Sequence, residues 1–314
     1  MRHDPQTQTQ TQTQMQALAE ALERAGHVLG GDADRAASVE PLERLLERCD
    51  RTLAEAPPRH PMRSIHHFAC TGGTLMCRAL FALPNTQVLS EIDPLSDMQV
   101  SASGRVPFAP TDLILAMRHS ARPVEDETVQ ATFLAALAAA KDALETRGHR
   151  LILRDHAHSH FCTQREDFGA RPTLLEMLTG RFETRAVLSV RHPLDSFLSL
   201  RANGWVAFSP ATLDAYARRY TAFLDRYADV PVVSYEDFTV DPEAVLRQMC
   251  GYLDLDVSPL ATDLIGAARL SGDSGRSGDT IAPRPRREIP DEIAAERRDS
   301  AAYEALCARL GYAP

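Results

Sequence analysis

The sequence predicts an α/β fold: a three-layer sandwich with a five-stranded, mostly parallel β-sheet, helices on both faces and an N-terminal helical extension. Two observations predict it. Beyond about residue 63, short apolar runs alternate with longer amphipathic segments, the pattern of βαβ units whose sheet is covered on both sides. The connections between those runs are long enough for right-handed crossovers. Composition agrees, because 314 residues that are 44% hydrophobic and 25% charged make a globular chain and not a disordered one.

Taken in order, residues 1–14 hold a Gln-Thr alternation from Gln6 to Gln14 with nothing apolar to bury, which predicts a disordered tail. Residues 15–56 place Leu18, Leu22, Val28, Leu42, Leu45, Leu46 and Leu53 at helical spacing around a Gly30-Gly31 turn, which predicts a helical hairpin. The prolines of Ala56 to Arg63 stop it, since proline lacks an N–H and disfavours helix at the preceding residue. The α/β domain then occupies residues 64–314. Its expected strands are Ser64 to Ala69, Gln87 to Ser90, Arg150 to Arg154, Arg185 to Val190 and Val230 to Ser234. The expected helices are Thr74 to Leu83, Asp126 to Thr146, Pro193 to Asn203, Leu213 to Tyr227, Pro242 to Tyr252 and Asp291 to Leu310.

Lys and Arg total 34 against 43 Asp and Glu, a formal net charge of −9. Such a chain has no general attraction to nucleic acid or to an anionic membrane, so any anion must be met by a local site. Lys141 is the only lysine, which leaves that task to arginine, histidine and backbone N–H groups. No apolar run has the length of a membrane span, and the first residues lack the apolar core of a secretory signal, so a cytoplasmic location is expected. Six cysteines without a CxxC pair read as reduced thiols.

In parallel sheets ligands bind beyond the carboxyl ends of the strands, so the residues just past each strand are the candidates for chemistry. The first strand runs into Cys70-Thr71-Gly72-Gly73-Thr74 and then directly into helix. Such a glycine-rich turn aims several N–H groups and a helix terminus at one anion, although a plain tight turn with Thr74 as N-cap has the same sequence. It lacks the GxxxxGK[ST] spacing of a Walker A loop. The fourth strand ends at Arg191, with Ser199 two helical turns on; a guanidinium and a hydroxyl together make a phosphate clamp. The third ends in Arg154-Asp155-His156-Ala157-His158-Ser159-His160. A histidine there titrates near neutrality and suits a general base, and HxHxH without a second ligand cluster is a poor metal site. Asp155 reads as a cap for the segment after it, and His66 and His67 as satisfied sheet residues. Glu91 hangs just past the second strand. Arg276 lies in a Gly/Ser-rich stretch, Ser271 to Asp279, ahead of Arg284, Arg286 and Arg287, and this reads either as an anion-closing lid or as a linker.

These pieces, in this order, resemble the PAPS-dependent sulfotransferases, a P-loop-type family that moves a sulfuryl group from 3'-phosphoadenosine 5'-phosphosulfate (PAPS) to an alcohol, amine or phenol. The resemblance covers about residues 64–280. RHPLDSFLS resembles the family's R-x-P-x-D-x-x-x-S segment, which implies that Arg191 and Ser199 hold the 3'-phosphate. CTGGT resembles the phosphosulfate turn, which assigns Cys70, Thr71, Gly72, Gly73 and Thr74 to the 5'-phosphate, while Arg276 would close over the nucleotide. VVSYEDFTVDPEAVLRQMCGYLDL resembles the V-x-Y-E-D-L and D-P segments. Arg154-Asp155-His156 resembles a K-T-H segment, which makes His156 the catalytic base and Arg154 a catalytic cation, with Glu91 the second candidate base. The implied co-substrate is PAPS, the product is PAP, the acceptor is a small molecule or a glycan, and no metal is required.

The family's turn is usually preceded by Lys or Arg, and here that place holds Cys70 or Thr71. A preorganised electrostatic donor of that kind supplies several kcal/mol of transition-state stabilisation, so Arg154 must answer for it. Two other readings compete: a nucleotide-dependent phosphotransferase with Asp155 as its magnesium carboxylate, and a non-catalytic nucleotide-binding scaffold.

Overall fold

The structure is a computed structural model that describes residues 60–98, 109–258, 261–264 and 281–314. The Gln-Thr tail, the 15–56 hairpin and Arg276 lie outside those residues. Five strands, β1 (Met62–His67), β2 (Thr86–Ile92), β3 (Arg150–Asp155), β4 (Thr184–Val190) and β5 (Val232–Ser234), form one sheet in the order β2-β3-β1-β4-β5. Every pairing is parallel. The expected five-stranded α/β architecture is therefore present, with β1 beginning at Met62, inside the stretch read as linker.

Alternation along the strands sorts the core into layers. Ile65, Ile152 and Val187 point to the face covered by α1 (Gly73–Phe81), α8 (Tyr235–Val240) and α9 (Pro242–Leu253), which bring Met76, Leu80, Phe238, Leu246 and Met249. On the other face, Leu151 and Leu153 meet α3 (Asp126–Glu145) and α5 (Leu174–Thr179). Beside them Leu188 and Val190 meet α6 (Pro193–Ala202) and α7 (Leu213–Arg226), where Phe197, Tyr216, Tyr220 and Phe223 gather around Phe68. Central β1 is thus buried along its whole length.

Four expectations need correction. Glu91 does not lie past the second strand but within β2, with φ +60° at a shift in the β2–β3 register. Thr74 is not an N-cap: Gly72 occupies that place with φ +92°, because the chain enters the helix through a left-handed residue. The terminal helix is two, α11 (Asp291–Asp299) and α12 (Ala301–Leu310), broken at Ser300, whose hydroxyl accepts from the Tyr303 N–H and donates to Asp214. Short α2 (Leu113–Arg118), α4 (His158–Phe161), α5, α8 and α10 (Ala261–Leu264) were not expected at all.

Candidate active site

The site begins with the pairing of β1 and β3, which sets Ile65 opposite Arg154. Successive residues of each strand leave on opposite faces, so the strand ends deliver two different pairs. His66 and Asp155 turn to the α7 face, where His66 Nδ1 lies 2.8 Å from Asp155 Oδ2 and the Tyr227 hydroxyl donates to the same oxygen at 2.7 Å. Ser64 Oγ meets His66 Nε2 at 2.8 Å. Asp155 is thus no helix cap; it is a buried acceptor that ties β3 to β1 and α7.

His67 and Arg154 leave on the α1 face, beneath the turn. Arg154 donates from Nε to His67 Nε2 at 2.9 Å, from Nη1 to Ser90 Oγ at 3.0 Å and from Nη2 to Thr74 Oγ1 at 2.8 Å. Glu91 lies 3.6 Å from the same guanidinium. His67 Nδ1 lies 3.0 Å from the Phe68 carbonyl, which can only accept, so the proton sits on Nδ1 and Nε2 offers its lone pair to Arg154. Burial, and then the adjacent Arg154 charge, hold the His67 pKa well below its ordinary value and keep the ring neutral.

The turn itself is built around two glycines. A Cβ on Gly72 would lie 2.3 Å from the Tyr235 ring, and one on Gly73 would lie 2.1 Å from the His67 ring, so neither place admits a side chain without displacing its neighbour. Cys70 takes φ +63° to start the curl. Thr71 closes it: its N–H and its hydroxyl both go to the Phe68 carbonyl, which directs this residue to holding the loop's shape. The first turn of a helix has N–H groups without intrahelical acceptors, and the first turn of α1 opens on the cleft.

From the other side, Pro193 starts α6 directly after β4 and fixes Arg191 at the strand tip. The Arg191 guanidinium packs 4.5 Å from the centre of the Tyr235 ring and donates from Nη1 to the Cys70 carbonyl at 3.2 Å. Its Nε is buried and has no hydrogen-bond partner among the described residues. Ser199 stands beside the Cys70 thiol, whose pKa burial raises although Ser199 and Arg191 oppose the shift. His156 stands just after β3, its N–H held by the Ile92 carbonyl at 3.2 Å, with its ring 6.0 Å from that of His158. His158 Nε2 lies 3.1 Å from the Trp205 carbonyl, and burial followed by the His156 charge pushes its pKa down to about 4.

The groups on the α1 face, the turn and the tips of β3 and β4 line one open cleft of about 530 Å³, while His66, Asp155 and Tyr227 lie outside it. It brings together Cys70, Thr71, Gly72, Gly73, Thr74, Glu91, Arg154, His156, Arg191 and Ser199, the sequence-predicted residues that fall among those described. It also holds residues the sequence reading did not assign to a site, His67, Arg78 and Tyr235, together with Trp205, whose region was expected to contribute to an acceptor pocket. Arg78 had a signal, since it stands one helical turn beyond Thr74 on α1. The segment 283–287 covers the rim with Arg284, Arg286 and Arg287, and Arg286 pairs with Asp195 through both carboxylate oxygens, at 2.8 and 3.2 Å. An acidic protein has thus placed six arginines around one cleft, with Glu91, Asp195 and Glu236 as its carboxylates. Among the described residues no group of histidine, cysteine and carboxylate side chains is arranged to hold a metal ion.

The residues present fit a ligand that carries phosphate groups: a backbone cradle in which a Cβ has no room, an orphaned Arg191 Nε at its side, and a ring of guanidinium groups. The sequence matches no family model and no curated protein. Among solved structures the chain is similar to a sulfotransferase domain from the curacin biosynthetic pathway, at 15% identity over 81% of this chain and 99% of that one, with a TM-score of 0.48. It is similar also to a sulfotransferase domain from the Synechococcus PCC 7002 olefin synthase, at 16% identity over 83% and 98%, TM-score 0.45. A mouse sulfotransferase complexed with PAP aligns at 12% identity over 84% and 93%, TM-score 0.40.

Proposed function

We propose that this chain is a PAPS-dependent sulfotransferase acting on a hydroxyl or amine of a small-molecule or glycan acceptor. The observation that carries the reading is the Arg154 Nη2 to Thr74 Oγ1 contact of 2.8 Å, because it brings a permanent cation to a phosphate turn that has none of its own. The acceptor oxygen attacks sulfur and forms the new S–O bond. The bond from sulfur to the bridging oxygen breaks, and PAP leaves with its electron pair. The proton lost by the acceptor passes to His156. Arg154 and the N–H groups of the turn offset the charge that grows on the departing phosphate. Arg191 and Ser199 hold the nucleotide from the side opposite His156, and the 284–287 segment supplies further cations to it.

Two measurements test this. Calorimetry with PAP should find Arg191→Ala weakened by at least about tenfold, in line with losing a charge-assisted contact; binding equal to that of the wild type sinks the assignment. His156→Ala should keep PAP binding while transfer from PAPS collapses, and unchanged turnover removes His156 from the mechanism. The phosphotransferase alternative is weakened by Asp155, a residue only 3% exposed whose carboxylate is engaged by His66 and Tyr227. Thermal shifts by PAP without magnesium, set against ATP or GTP with it, separate the two.

A further inference from the structure

On the basis of the sulfotransferase reading above, we propose that His67 is the positioning residue that makes Arg154 the cation of the phosphate turn. An arginine side chain loses much of its rotamer freedom when it is fixed. A guanidinium that serves a transition state must therefore be held beforehand by something rigid. His67 is rigid on three counts. It belongs to the central strand and is buried. Its Nδ1 proton is committed to the Phe68 carbonyl at 3.0 Å, so Nε2 faces Arg154 as an acceptor in a single tautomer. Its ring lies against Gly73 so closely that a Cβ there would come within 2.1 Å.

The consequence for Arg154 is geometric. With Nε anchored on the imidazole, the guanidinium plane is fixed and its two terminal nitrogens are directed to Thr74 and to the Ser90 and Glu91 side. Lysine has no counterpart to that third anchoring nitrogen. A neutral histidine is also suited to the place, because it accepts a hydrogen bond without adding a negative charge that would cancel the cation. The turn with Cys70 and Thr71 where a cation is usual is in this way served across the β1–β3 pairing.

The test is a double-mutant cycle read by PAP calorimetry on the full chain, with melting curves for every variant. Arg154→Ala should weaken PAP by at least about tenfold. His67→Asn, whose amide stops short of Nε, should lose a similar factor. The double variant should be no weaker than Arg154→Ala alone, and His67→Gln, whose amide oxygen reaches the place of Nε2, should bind within about threefold of wild type. A further loss of about tenfold from His67→Asn in the Arg154→Ala background would show that His67 acts by itself, and overturns the proposal. Should His67→Asn lose its cooperative melt, His67→Gln decides: binding near that of wild type supports the coupling, and a loss equal to that of Arg154→Ala overturns it. If the wild type fails to bind PAP, the sulfotransferase reading itself falls, a result distinct from wild-type binding with an additive cycle.

Discussion

One methyl group at position 73 separates a formed site from a deformed one. Because its Cβ would strike the His67 ring, and that ring is locked between the Phe68 carbonyl and Arg154, Gly73→Ala cannot be absorbed by a flexible side chain. Overpacking of this kind costs about 1–3 kcal/mol. The expected result is PAP affinity reduced by about tenfold or more with the cooperative melt retained, checked by calorimetry and by scanning fluorimetry. At this scale the sequence was partly legible. CTGGT announces a turn made for an anion, and RHP places an arginine ahead of a helix. The position of Asp155 was not legible, because its partners His66 and Tyr227 lie 89 and 72 residues away in the chain. No local pattern distinguishes such an acceptor from a helix cap.

Whole elements were legible where hydrophobic periodicity ran long. The four longer strands and helices α3, α6, α7 and α9 follow from their apolar spacing, whereas α2, α5 and α8, of six residues each, depend on caps supplied by Asp112, Thr173 and Ser234. Short helices bury too little to imprint a period. The division between α11 and α12 was missed for the opposite reason, since the amphipathic pattern continues through a break made by one hydroxyl. Ser300→Ala removes the cap of α12 and the bond to Asp214. It should cost about 1 kcal/mol and lower Tm by roughly 2–4 °C, with PAP affinity unchanged. A melting temperature equal to that of the wild type would show that the break is held by packing alone.

Acid should loosen the whole molecule before its carboxylates titrate. His158 and His160 are held by burial at a pKa of about 4, below the ordinary 6.5, with His156 next in order for the first and Arg171 for the second. His67 is likewise held well below its ordinary value by burial and then Arg154. Between pH 6.5 and 4 the unfolded chain therefore binds protons that the folded protein does not. Stability rises with pH across that window, by up to about 1.4 kcal/mol per pH unit for each such histidine. Asp93 is lowered although burial raises it, because Arg171 and Ser159 hydrogen-bond its carboxylate, and its stabilisation is lost only as pH falls below the usual carboxylate range. Urea unfolding at pH 7.5, 6 and 5 should show stability decreasing over both steps, and a flat profile between 7.5 and 5 contradicts the assignment of these rings as neutral.

The pairing of Ile65 with Arg154 reaches beyond the site it builds. When the cation of a phosphate turn arrives from the strand next door, the turn's own letters no longer have to spell it, and the position before the glycines can hold a residue such as Cys70. On the proposed reading, a pattern written along the turn sees a missing part where Arg154 stands in from the neighbouring strand. What marks such a chain is an address in two dimensions: an arginine near the end of the third strand, in register two residues before a histidine that ends the first.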